Sequence, residues 1–141
     1  MLKYPVNLKD DETGAVLVFF PDFPFAHTYG DDREDALRHA VGALETAIIA
    51  CMSDRENIPR PSARRGRPLV SLDAQATMKT LVYQVMRDQG YRKADLARRL
   101  GIQQSQVARL LDLRHASRIG RLEEALRALG HEFEIKPRKA A

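Results

Sequence analysis

Residues 93–111 read Lys93-Ala94-Asp95-Leu96-Ala97-Arg98-Arg99-Leu100-Gly101-Ile102-Gln103-Gln104-Ser105-Gln106-Val107-Ala108-Arg109-Leu110-Leu111. This spacing is that of two short helices crossing over a tight turn. Close crossing needs a small residue at the contact, and Ala97 supplies it. Four residues later the turn needs a residue tolerant of positive φ, and Gly101 supplies that. Leu96, Leu100, Ile102, Val107 and Leu110 then close a core beneath the turn. The first turn of the second helix stays polar, with Gln103, Gln104, Ser105 and Gln106.

A polar helix start behind such a turn is where a recognition helix meets base edges. Glutamine can bond adenine N6 and N7 together, and Arg109 can reach guanine O6 and N7. The expected base contacts are therefore Gln103, Gln104, Ser105, Gln106 and Arg109. The expected phosphate contacts are Arg92, Lys93 and Arg114. The segment resembles the helix-turn-helix of Cro and phage repressors, with flanking helices at about 74–89 and 118–129. Gly120 is expected to shorten the start of the last helix.

On either side of this segment the pattern changes. Met78, Leu81, Val82, Val85 and Met86 form one helical stripe that Gly90 ends. Ile119, Leu122, Ala125, Leu126 and Leu129 form another, ending at Gly130. His131–Lys136 alternates like a short terminal strand. Upstream, Tyr4, Val6 and Leu8 alternate as a strand, Asp10–Gly14 reads as a turn, and Ala15–Phe20 is an apolar strand. Pro21-Asp22-Phe23-Pro24 ends it, and a short third strand is expected around Ala26–Tyr29. Leu37, Ala40, Val41, Leu44, Ala47, Ile48 and Cys51 recur at helical steps over 32–53. Asp31 is expected to cap this helix with Glu34 as its capping-box partner. Residues 55–68, with three prolines and five arginines, read as a loop or linker, and Leu69–Leu72 as a strand returning to the sheet. The expectation is an α+β protein: a small antiparallel sheet with one packed helix in residues 1–72, then an all-α domain in 73–141.

Charge divides along the same line. The net charge is +4, but residues 1–59 hold five basic and eleven acidic residues, a net of −6. Residues 60–141 hold eighteen basic and eight acidic residues, a net of +10. A basic half suits a phosphate backbone; an acidic half is repelled by one and needs another partner. With 44% hydrophobic residues a packed core is available. The chain shows no signal-peptide pattern, no run long enough for a membrane span, and a single cysteine, so a soluble cytoplasmic protein is expected, with no membrane partner.

Several short motifs in the first half occur in a specific order. Tyr4-Pro5-Val6, Gly14 to Pro24 with its Phe20-Pro21-Asp22-Phe23-Pro24 core, Thr28 to Asp32, Glu34 to Leu37, Ala43 to Ala47 and Ile58 to Ser62 resemble the HicB antitoxin family. The second half, down to Leu113–Ser117, resembles the helix-turn-helix branch of that family. The resemblance implies a partial RNase H-like first domain that binds a HicA-type toxin, a small basic ribonuclease that cleaves mRNA with a histidine. It also implies that the second domain represses the toxin–antitoxin operon by binding double-stranded operator DNA. An acidic domain complements an RNA-binding surface. Candidate toxin contacts are Asp22, Phe23, Tyr29, Asp31, Asp32 and Glu34. Asp31 and Glu34 also read as helix caps, and Asp10, Asp11 and Glu12 as a solvated turn.

No catalytic, metal or cofactor site is expected. His27, His39, His115 and His131 do not pair with one another or with Cys51 at metal-ligand spacing. Two alternatives share these residues: a transcription factor whose first domain senses a small ligand, and a metal-dependent nuclease built on carboxylates such as Asp10 and Asp22. Readers of pseudo-palindromes bind as two-fold dimers, so a dimer or higher homo-oligomer is expected. The last helix and the 131–135 strand could form its interface or simply complete the core.

Overall fold

A computed structural model describes residues 1–140. The fold is α+β, with a small antiparallel sheet system and five helices. The first alternating stretch forms two short strands, β1 (Lys3–Pro5) and β2 (Asn7–Asp10), divided at Val6. β1 pairs antiparallel with β5 (Leu69–Ser71), Tyr4 opposite Val70. The Val6 N–H donates to the Pro68 carbonyl at 3.0 Å and the Leu72 N–H to the Leu2 carbonyl at 3.0 Å, extending that ladder at both ends. β2 instead pairs with β3 (Val16–Phe20), and β3 with β4 (Phe23–Gly30), giving the order β2-β3-β4. The β2–β3 turn uses Gly14 at φ 88°, and the Asp11 carboxylate accepts from Thr13 and from the Ala15 N–H.

β4 begins at Phe23, earlier than the expected Ala26, because the Pro21–Asp22 turn returns the chain into pairing at once. It runs to Gly30 against α1 (Arg33–Ser53). A Cβ on Gly30 would lie 2.2 Å from the Ala36 nitrogen, so strand end and helix start meet backbone to backbone. Asp31 is left as the link, and the cap falls one residue later than expected. Asp32 accepts from the Asp35 N–H at 2.8 Å, and Asp35, not Glu34, reaches back to the Asp31 N–H at 2.9 Å. The helix face turned to the sheet carries Ala36, Ala40, Leu44, Ala47, Ile48 and Cys51. Leu37 and Val41, expected at its centre, are half-buried at its border.

From residue 73 the chain is helical: α2 (Ala74–Asp88), α3 (Lys93–Leu100), α4 (Gln104–Leu111) and α5 (Ile119–Ala128). α2 buries Ala76, Met78, Val82, Tyr83 and Met86, while Leu81 is 39% exposed, so the stripe is rotated from the expected one. Gly120 does not delay α5, which opens at Ile119. Leu122, Ala125, Leu126 and Leu129 are buried within their own chain, whereas Ile119, the first residue of the α5 stripe, is 48% exposed. The expected strand at 131–136 is absent: residues 131–140 carry no regular element, though Phe133 packs against the core.

α2 joins the halves. The Tyr83 hydroxyl donates to the Glu56 carbonyl at 2.7 Å, the Ile58 N–H to Gln84 at 2.9 Å, and the Leu2 N–H to Thr77 at 3.1 Å. The 55–68 segment has no regular element but lies against the sheet half: Tyr4 donates to the Pro59 carbonyl at 2.7 Å, and Ser62 to Asp22. Buried side chains of both halves form one continuous cluster. No helix among the described residues is long and apolar enough to cross a membrane.

Candidate nucleic-acid interface and uncovered sheet face

α3 and α4 form the two arms of a helix-turn-helix. α3 ends on Gly101, whose left-handed conformation (φ 66°) turns the chain at once. The Ile102 N–H then bonds back to the Ala97 carbonyl at 3.0 Å. Ala97 is buried at the crossing, with Leu96, Val107 and Leu110 beneath it, while Leu100 and Ile102 are partly buried. Gln103, Gln104, Ser105, Gln106 and Arg109 are all exposed. With Gly101 and Ile102, four of these five line an open groove of about 650 Å3, and Gln104 stands outside its lining.

These side chains are not equivalent. The Gln106 carboxamide oxygen accepts from the Gln103 N–H at 2.9 Å, capping the start of α4 as Asp95 caps α3 from the Arg92 N–H at 2.8 Å. The Gln106 carboxamide is thereby held at the helix start, with its NH2 free to donate. Gln103, Gln104, Ser105 and Arg109 make no side-chain bond among the described residues. Arg92 and Lys93 are exposed at the start of α3. Arg98 pairs with Asp95, and Arg99 donates to the Tyr91 hydroxyl.

Arg114, an expected phosphate contact, lies beyond the C-terminal end of α4, and its exposed guanidinium donates to the Thr46 hydroxyl of α1 at 2.8 Å. Sequence reasoning also missed Lys79. Its side chain is 0% exposed, and its ammonium donates to the backbone carbonyl of Arg109. The available signal was a lysine inside an otherwise apolar stripe of α2.

In the sheet half, α1 covers one face and leaves the other open. Phe19, Phe25 and Tyr29 are 41%, 58% and 63% exposed. Phe19 stacks on His27 at 6.5 Å between ring centroids. Asp31, Asp32 and Glu34, all exposed, stand where β4 passes into α1. Phe23 does not belong to this surface. It is 1% exposed and packs edge-on against Tyr4 at 5.0 Å, because β4 turns it inward. Asp22 is half-buried and accepts from the Ser62 N–H and hydroxyl, both at 3.1 Å. Among the described residues no three His, Cys, Asp or Glu side chains are grouped to hold a metal ion.

Fold and site define a two-part protein: an α+β half with an uncovered aromatic sheet face, and a helical half carrying a helix-turn-helix. Residues 3–81 match the family described as HicB_like antitoxin of bacterial toxin-antitoxin system. Similarity to curated relatives extends over almost the whole chain. Antitoxin HicB 2 of Photorhabdus laumondii is 40% identical over 134 residues, covering 95% of each chain. Antitoxin HicB of Pseudomonas fluorescens is 36% identical over 135 residues, 94% of this chain and 92% of the relative. Antitoxin HicB of Escherichia coli is 31% identical, over 95% of this chain and 98% of the relative. The chain belongs to the HicB antitoxin family. That membership supports an antitoxin role within a toxin–antitoxin system.

Proposed function

We propose that the chain neutralises a HicA-type mRNA-cleaving ribonuclease through residues 1–72 and represses its own operon through residues 73–141. It works without catalysis or cofactor, in the cytoplasm where transcript and operator are found. One observation carries the reading: a single chain joins an acid-rimmed, uncovered aromatic face to a basic helix-turn-helix with an exposed polar first turn. Exposed aromatic patches with polar rims favour protein partners, and the acidic rim favours a basic one. Within that surface Tyr29, Asp31, Asp32 and Glu34 are the proposed toxin contacts, joined by Phe19 and Phe25. Asp22 is engaged by Ser62 of the 55–68 segment.

On the DNA side, Gln103, Gln104, Ser105 and Arg109 are the proposed base contacts, with the Gln106 oxygen engaged in the helix cap. Arg92 and Lys93 are the proposed phosphate contacts. Two copies would read the two halves of a pseudo-palindrome.

Separation of the two activities tests the proposal. Tyr29→Ala combined with Glu34→Lys should abolish capture of the ribonuclease encoded beside this gene, while binding to the upstream duplex persists. Gln104→Ala combined with Arg109→Ala should do the reverse. If both double variants lose both activities while remaining folded, the two-partner assignment is wrong.

A further inference from the structure

Lys79 is a fully buried charged side chain. Its Nζ donates to the Arg109 carbonyl at 2.8 Å and to the Ser117 hydroxyl at 2.8 Å, both neutral acceptors. One turn earlier on the same face of α2, Gln75 grips Ser117 from both sides. The Gln75 amide donates to the Ser117 carbonyl at 3.0 Å, and the Ser117 N–H donates to the Gln75 oxygen at 2.8 Å. Four hydrogen bonds thus run from two side chains of α2 to the end of α4 and the segment that follows it.

We propose that Lys79 and Gln75 form a clamp that positions the recognition helix, Lys79 acting on DNA reading through the backbone of Arg109 and not by touching DNA. This inference rests on the assignment of α4 as the reading helix. The Arg109 carbonyl lies in the last turn of α4, where it also accepts from the Asp112 N–H at 3.2 Å and where the partial negative charge of the helix end favours a cation. Its guanidinium is exposed on the groove that also holds Gln103 and Ser105. The clamp therefore holds the main chain of a proposed reading residue.

An apolar side chain would fill this site without the cost of burying an ammonium. Burial pushes the Lys79 pKa below its usual value, an effect that Asp112 opposes. What lysine adds to the packing is direction. Apolar contacts resist separation but only weakly resist rotation of one helix on another, whereas hydrogen bonds of 2.8 Å fix both angle and register. A helix that rolls on α2 carries Gln104 and Arg109 out of line with base edges, and two-point bonds fail first. Phosphate contacts made by Arg92 and Lys93, which stand at the start of α3, do not depend on this angle.

The test uses the full chain with Lys79→Met, which fills the same space without donors, and Ser117→Ala, which removes one acceptor from a half-buried site. Each is titrated against the duplex immediately upstream of its gene and a scrambled duplex of equal composition. Hydrogen exchange is measured on the same proteins without DNA. Lys79→Met should reduce preference for the upstream duplex by about tenfold or more, the scale of one lost two-point contact, with scrambled-duplex affinity and salt slope retained. Exchange should accelerate at the end of α4 and through residues 112–118. Wild-type preference and wild-type exchange in folded Lys79→Met overturn the clamp. If Lys79→Met does not fold, Ser117→Ala decides by the same two readouts. If the wild-type chain shows no preference for the upstream duplex, the DNA assignment fails, and exchange alone judges the clamp: faster exchange supports it, unchanged exchange overturns it.

Discussion

The Arg114 guanidinium donates to the Thr46 hydroxyl at 2.8 Å, across 68 residues of sequence. It ties the segment after α4 to the helix that backs the sheet. An arginine that sequence reasoning assigns to phosphate is therefore held by the other half of the molecule. Arg114→Ala should leave the salt dependence of DNA binding unchanged, whereas Lys93→Ala should lower the slope by about one unit. Fluorescence anisotropy over a salt series distinguishes the two. An equal fall in both slopes would return Arg114 to the phosphate contacts.

The polar turn of α4 divides by role. Gln104→Ala and Arg109→Ala should each relax base preference by about 1–3 kcal/mol, with little change in melting temperature. Gln106→Ala removes the cap on the Gln103 N–H and should instead cost about 1 kcal/mol of stability. Paired thermal melts and binding isotherms read both effects. A destabilised Gln104→Ala with intact base preference would reverse the assignment.

Two glycines of the sheet half should respond in opposite directions. Gly30 has backbone atoms of Ala36 where a Cβ would stand. Gly30→Ala must separate β4 from α1 and should cost about 3 kcal/mol, the upper end for overpacking. Gly42 lies inside α1 with no atom within 4 Å of its Cβ position. Gly42→Ala should stabilise the chain by roughly 0.5–1 kcal/mol. Urea unfolding of both variants checks the contrast, and a neutral Gly30→Ala would show that the strand–helix junction is looser than described.

Tyr4 sets an alkaline limit. Burial, then Asp22, then Cys51 push its phenol from 10.0 up to about 12. A raised folded-state pKa makes its stabilising contribution complete below 10 and lost as pH rises through the folded value. Stability should fall between pH 10 and about 12, and Tyr4→Phe should flatten that part of the curve. Unfolding curves across the alkaline range test this; an unchanged slope in Tyr4→Phe would assign the loss to other groups. Tyr4→Phe also leaves the Pro59 carbonyl without its donor, at a cost of about 1 kcal/mol at neutral pH.

The helix-turn-helix was legible because its requirements are local. A small residue at 97, a glycine at 101 and apolar residues at 96, 107 and 110 answer to the geometry of one turn. The first strands were less legible. The split of the Tyr4–Lys9 stretch at Val6 depends on β5, more than sixty residues away, which no local period reports. The helix cap moved from Asp31 to Asp32 because Gly30 is pressed against Ala36, a tertiary contact. Phe23 reads as exposed among turn residues and lies inward because β4 begins there. Lys79 was passed over because a charged residue in an apolar stripe is ordinarily placed at the edge of a helix face. Its acceptors come from α4 and the segment following it, and only the folded chain brings them to it.

The most direct measurement of the central claim is RNA cleavage by the proposed HicA-type partner, titrated with the full chain. The account predicts that cleavage falls to zero as the chain approaches stoichiometric ratio, and that Tyr29→Ala with Glu34→Lys restores it. Cleavage that continues unchanged in excess of the folded wild-type chain would contradict the account.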